Sequence, residues 1–209
     1  MNTIFNNSEI LEFRKINTND VNDKPFMKFK LNDEIIDDVW AWSRVYEYPL
    51  VLSKIKQYFG DDNSINIHNT SWGFQHIHVT FKEKLDSIYD NVIHSDIIES
   101  SLPKTQFYDI TKQPDSSLTE KFDVVINIST VEEVNDNHLT IIENLFSQVK
   151  KNGILIITFD LPGFQITEFE SYFKTNILKS DNDISGSNSV TINSGCSHLN
   201  CGLLIIKKI

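Results

Sequence analysis

The stretch Phe122–Ile128 reads FDVVINI. Only Asp123 and Asn127 interrupt its β-branched and aromatic residues, and polar and apolar positions do not alternate. A strand with one wet face alternates, whereas a continuous apolar run marks a strand covered on both faces, as in a parallel sheet between helices. Asn127 stands either at the mouth of this strand, where polarity is useful, or hydrogen-bonded inside it.

Reading forward, Asp136 is placed to cap a helix with Leu139, Ile142, Leu145, Phe146 and Val149 inward. Lys150 and Lys151 suit the end of that helix, where the dipole favours cations. Asn152–Gly153 then turns into the strand ILIITF, Ile154–Phe159. A helix is expected near Phe164–Asn176, followed by strands around Val190–Asn193 and Gly202–Lys207. The connection Ser194–Cys201 is too short for a crossover, so these last strands should pair antiparallel.

Reading backward, Ile65–His68, Asn91–Ser95 and Gln106–Tyr108 are short strands. Between the first two, Phe74, Ile77, Phe81, Leu85 and Ile88 mark one face of a helix from Trp72 to about Ile88. Residues 1–32 are polar without a sustained period and read as an arm. From Asp33 the pattern is helical, with Ile35, Ile36, Val39, Trp40 and Trp42 on one face. Pro49 ends or kinks that helix at Tyr48. A second helix then runs to about Phe59, and Gly60 terminates it. The expected fold class is α/β: a mostly parallel, seven-stranded, doubly wound sheet with a C-terminal antiparallel β-hairpin and an N-terminal helical cap. Residues 1–60 form the arm and cap, and residues 61–209 the Rossmann-like domain.

The 209 residues carry a formal net charge of -10, with no evident basic patch. An acidic chain repels phosphate backbones and anionic lipids, so neither nucleic acid nor a membrane is the expected partner. No signal peptide or membrane-spanning run is evident, and a reduced cytoplasmic setting is expected. The two cysteines, Cys196 and Cys201, flank His198 but lack a fourth metal ligand. His76 and His78, two apart, cannot share a helix face, so no metal site is expected there either. Oligomeric state stays open, a homo-oligomer included.

A parallel sheet closed by a C-terminal hairpin and preceded by helices resembles the class I S-adenosylmethionine (SAM)-dependent methyltransferases. The segments that carry the resemblance are FDVVINISTVEEV (Phe122–Val134), VKKNGILIITFDLPG (Val149–Gly163) and RVYEYPLVL (Arg44–Leu52). It covers roughly residues 34–209 and implies SAM as cofactor and a small-molecule substrate. Ligands in such sheets bind beyond the carboxyl ends of the strands. Asp96 ends the second strand, 23 residues after Gly73, where an acidic residue receives ribose hydroxyls. The resemblance places Asp109 near the adenine amino group, and Asn127 and Ser129 by the methionine part and substrate. It also places Arg44, Tyr46 and Tyr48 on a cap over a small polar molecule such as a sugar or other metabolite.

The first loop departs from the family. Its motif is glycine-rich, but here the residues are His68, Asn69, Thr70, Ser71, Trp72 and Gly73. Asparagine tolerates a left-handed backbone next best after glycine, so Asn69 is expected at the bend, with Thr70 or Ser71 capping the helix. Trp72 either packs into the sheet–helix interface or stacks over a bound group. The Glu132–Glu133 pair stands where related small-molecule enzymes often have Glu-His, which makes Glu133 the candidate base. Asn69, Ser71, Trp72, Gly73, Asp96, Asp109, Asn127 and Ser129 are thus the candidate cofactor residues. Two rivals stand beside methyl transfer. One is a methyltransferase-like interaction subunit that binds no cofactor, for which Phe5, Phe13 and Phe26 would serve as contacts. The other is a nicotinamide-dependent oxidoreductase.

Overall fold

FDVVINI is a strand, and all seven of its residues are buried. The computed structural model describes residues 26–31, 34–40, 44–72, 79–160 and 201–209. In chain order these form β1 (Phe26–Leu31), β2 (Glu34–Trp40), α1 (Arg44–Phe59), β3 (Asn66–Thr70), α2 (Val79–Ile88) and β4 (Asn91–Asp96). Then follow β5 (Thr105–Phe107), β6 (Phe122–Ile128), a 3-10 turn (Val131–Glu133), α3 (His138–Ser147), β7 (Val149–Asp160) and β8 (Cys201–Lys207).

Six strands form one sheet in the order β5-β4-β3-β6-β7-β8. Every pair from β5 to β7 is parallel, and β8 runs antiparallel to β7. The mostly parallel α/β sheet with an antiparallel end is as expected. The strand at Val190–Asn193 and the helix at Phe164–Asn176 lie outside the described residues. The chain steps outward from β3 to β4 and β5, then returns to β6 on the other side of β3. That reversal leaves a crevice beyond the carboxyl ends of β3 and β6.

The period of two along β6 splits the core into two layers. Val124, Ile126 and Ile128 join Ile67, Ile154 and Ile156 under Leu52 and Ile55 of α1 and Phe81 and Leu85 of α2. Val125 joins Leu155, Ile157 and Leu204 under Ile141, Ile142 and Leu145 of α3. At about 1.5–3 kcal/mol for each fully buried aliphatic side chain, these two layers are the main source of stability.

Several local expectations need correction. In place of the helix expected from Asp33 to Tyr48, Glu34–Trp40 is β2, paired antiparallel with β1, and α1 begins only at Arg44. The apolar set Ile35, Ile36, Val39 and Trp40 suits either period, and over seven residues its β-branched and aromatic content favours a strand. The polar arm of residues 1–32 likewise contains β1, whose FMKFKL has the composition of a strand. Pro49 breaks nothing: α1 runs through it from Arg44 to Phe59. Proline there removes one helical hydrogen bond, and burial of Tyr48, Leu50, Val51, Leu52 and Ile55 outweighs that loss. The cap of α3 is Asn137, whose side chain accepts from the Thr140 amide, one residue later than the expected Asp136. Lys150 and Lys151 lie in β7, not at a helix end.

The Asn152–Gly153 bend is an irregularity within β7. Phe122 pairs with Val149, but Val124 pairs with Ile154, so extra residues bulge from β7. Asn152 takes φ 67° to make the bend. A Cβ on Gly153 would stand 2.7 Å from the Asp123 carbonyl oxygen and 3.0 Å from that of Lys150. Both are backbone atoms of the paired strands, so they yield poorly. Gly153→Ala should therefore lower stability by about 1–3 kcal/mol, the usual result of overpacking. A fall in the urea unfolding midpoint without a change in slope checks it.

Candidate functional site

The crevice begins where β3 ends. Ser71 takes φ 57°, and its amide donates to the Ser95 carbonyl at 2.6 Å. The left-handed residue is thus Ser71, whereas Asn69, expected at the bend, lies within β3. Asn127 binds this end of β3 to β6. Its Nδ2 donates to Thr70 Oγ1 at 2.9 Å and to Ser71 Oγ at 3.2 Å. Thr70 Oγ1 donates in turn to the Ile126 carbonyl at 2.7 Å. Asn127 is fully buried and hydrogen-bonded inside, and it does not line the cavity.

Beyond these strand ends lies a cavity of about 470 Å³. Each crossing contributes to its wall: Ser71 after β3, Asp96 to Ile98 at the end of β4, and Tyr108 to Thr111 after β5. Ser129 and Thr130 follow β6, Glu133 and Val134 come from the 3-10 turn, and Arg44 from the start of α1. Asp96 closes β4 with its Oδ1 accepting from the Ile98 amide at 3.0 Å. Asp109 Oδ1 accepts from the Thr111 hydroxyl at 2.7 Å and the Thr111 amide at 2.9 Å. The Thr111 hydroxyl hydrogen bond holds the Asp109 carboxyl below its usual range, so it is ionised at neutral pH.

The two bulky residues of the first loop stay out of this space. His68 is buried within the sheet, between Ser95 Oγ at 2.7 Å and Gln148 Oε1 at 2.6 Å. Trp72 is buried on the α2 side, edge-on to His94 with 6.0 Å between ring centroids. Lys82 Nζ stands 5.9 Å from its ring. Trp72, Asn69 and Tyr48 line a separate cavity of about 20 Å³. Tyr48 stacks on Phe81 there at 4.2 Å, so it backs the site instead of facing the large cavity. Burial raises the Tyr48 hydroxyl pKa well above its ordinary value. Gly73, His76, His78 and the Tyr46 side chain lie outside the described residues.

A cluster that the sequence reading did not single out joins α1 to β6. Glu47 is fully buried; its Oε2 meets Arg44 Nη1 at 2.7 Å, and its Oε1 accepts from Ser129 Oγ at 2.5 Å. Arg44 Nη2 also donates to the Ser129 carbonyl at 3.3 Å. Ser129 is itself left-handed, at φ 40°. The available signal was the Arg44/Glu47 spacing of three, one helical turn; the link to Ser129 has no local trace. Among the described residues no group of three or more His, Cys, Asp or Glu side chains gathers as metal ligands, and no helix is long and apolar enough to cross a membrane.

No protein-family model and no curated protein matches the sequence. Solved structures do resemble it. The CurJ carbon methyltransferase aligns over 79% of this chain and 54% of its own, at a TM-score of 0.51 and 12% identity. The 1,6-didemethyltoxoflavin-N1-methyltransferase of Burkholderia thailandensis aligns over 77% of both chains, at 0.49 and 11%. The CMeT domain of citrinin polyketide synthase aligns over 78% of this chain and 51% of its own, at 0.49 and 13%. The chain thus spans about half the length of the CurJ and citrinin structures. The CurJ likeness shows the fold: the Rossmann-like fold of class I SAM-dependent methyltransferases.

Beneath the cavity, His68 and His94 are both held neutral. Ser95 and Gln148 fix His68 with its proton on Nδ1, donating to the amide oxygen. Asn69 Nδ2 faces His94 Nδ1 at 3.2 Å, which leaves His94 Nε2–H for Asp86 Oδ1 at 3.3 Å. Burial lowers both pKa values to about 4. The unfolded chain, with histidines near their ordinary 6.5, then binds more protons than the folded one between those values. Stability from this source is complete above about pH 6.5, falls as pH drops towards 4, and levels off below. The slope should be at most about 1.4 kcal/mol per pH unit for each histidine. Urea midpoints from pH 7 to 4.5 test this, and His68→Gln should make the decline shallower.

Proposed function

We propose that this protein is a SAM-dependent methyltransferase acting on a small polar molecule, such as a sugar or another metabolite. The observation that carries the reading is the open cavity of about 470 Å³ beyond the switch point, with carboxylates at the ends of β4 and β5. That volume lies within the roughly 300–1,000 Å³ of ligand clefts. Two further features suit a nucleoside cofactor. Ser71 supplies the positive φ for which glycine is the usual residue. Ile97, Ile98, Tyr108 and Ile110 give the adjoining wall the apolar character that a purine ring needs.

In this reading Asp96 receives the ribose hydroxyls and Asp109 the adenine amino group. Ser71 and Ser129 border the methionine part. Asn69, Trp72 and Asn127 act from behind, fixing the end of β3. SAM, when bound, supplies an electrophilic methyl group on a sulfonium. The chain's own task is then alignment, which alone can account for much of a displacement rate. Glu133, exposed on the rim, takes the proton that a hydroxyl or ammonium acceptor must shed. Arg44, with Tyr48 behind it, forms the cap side of the acceptor space.

Calorimetric titration with SAM, S-adenosylhomocysteine and NAD is the test. SAM and S-adenosylhomocysteine should each bind at one site, and NAD should not. Asp96→Ala should weaken both about 10- to 100-fold, the loss of a charge-assisted hydrogen bond to buried hydroxyls. Absence of heat with all three would leave an interaction subunit, and saturation by NAD alone an oxidoreductase.

A further inference from the structure

The charges around the large cavity are lopsided. Arg44 is the one cationic side chain among the described residues that line it. Its guanidinium is already committed to the Glu47 carboxylate at 2.7 Å and the Ser129 carbonyl at 3.3 Å. Arg44 and Glu47 are both buried, so water screens their pairing little. The positive charge is thereby cancelled where it arises. What remains on the wall is negative: Asp109, held by neutral donors of Thr111, and Glu133 on the rim.

Ser129 adds to the asymmetry. Its amide donates to the Thr158 carbonyl, its carbonyl accepts from Arg44, and its hydroxyl donates to Glu47. Only hydroxyl lone pairs are left to face a ligand. At this end of the cavity Ser129 and Glu133 offer hydrogen-bond acceptors, and the Arg44 guanidinium beside them is paired with Glu47.

We propose that Glu47 and Glu133 are specificity-determining residues that make this cavity select for positive charge. Resting on the methyltransferase reading, the site holds the cationic sulfonium SAM in preference to the neutral thioether S-adenosylhomocysteine. Glu47 acts through Arg44, by removing its repulsion; Glu133 acts directly from the rim. When the methyl group passes to the acceptor, the electron pair of the broken S–C bond stays on sulfur and the sulfonium charge disappears. The new bond forms from an acceptor lone pair, and the acceptor's proton goes to Glu133. The spent cofactor then lacks the charge that held it, which favours its release. The same field favours an acceptor that is neutral or cationic at its entering end, an amine or hydroxyl compound, over a carboxylate or phosphate.

Calorimetry on the full chain reads the preference directly. Wild-type protein should bind SAM at least about threefold more tightly than S-adenosylhomocysteine, the effect of one screened charge pair. Added salt should narrow the gap. Glu133→Gln and Glu47→Gln should each bring the ratio towards one; both keep a hydrogen-bonding oxygen, so a merely structural role would change both affinities alike. Should Glu47→Gln not fold, the exposed Glu133→Gln decides alone. Equal or tighter binding of S-adenosylhomocysteine to wild-type protein, or a ratio unmoved in the folded variants, overturns the proposal while leaving the methyltransferase reading intact. Lack of binding by either ligand removes that reading, and this one with it.

Discussion

A strand buried at every residue must have hydrogen-bonding partners along both edges and an apolar layer over both faces, and β6 imposes that demand on everything around it. β3 and β7 pair with its edges, while α1 and α2 cover one face and α3 the other. Its two polar side chains lie near opposite ends. Asp123 accepts from the Asn66 amide at 2.8 Å and pairs with Lys150 at 2.6 Å. Asn127 directs its amide donors to Thr70 and Ser71. The second set fixes the separation of β3 and β6 at the switch point, and so the floor of the crevice. Packing and site geometry thus follow from one strand.

The sheet was legible because its signals are long or doubly constrained. FDVVINI and ILIITF have no other stable place than the middle of a covered sheet, and β3 and β4 follow from turn residues that bound short β-branched runs. The N-terminal part was not legible for a physical reason. EIIDDVW satisfies helical and strand spacing alike, and only pairing with residues 26–31 decides between them. Pro49 misled in the other direction, because a local rule about proline says nothing of how much apolar surface a helix can bury around it. The Asn152–Gly153 signal was real, but the bend serves a bulge within a strand.

For the site, the residues at strand ends were the readable ones. Ser71, Asp96, Asp109 and Ser129 lie on the cavity wall, as do Arg44 and Glu133. Asn69, Trp72, Tyr48 and Asn127 lie behind it, since a residue name does not tell on which side of a loop its side chain turns. His68 stands where the related loop is normally rich in glycine. It is instead a satisfied interior residue, balanced between a hydroxyl and an amide. Glu47 went unread because its role depends on a serine 82 positions later.

That distance has a consequence for how the chain acquires its cleft. A contact across 82 residues, made from an otherwise open chain, requires the closure of a long loop for a single carboxylate–hydroxyl bond. Once β3 lies beside β6, with Thr70 next to Asn127, the remaining span runs only from Glu47 to Thr70. Pairing of the central strands thus shortens the loop that the Glu47–Ser129 contact must close, and the mouth of the cleft is tied together at both levels of the chain.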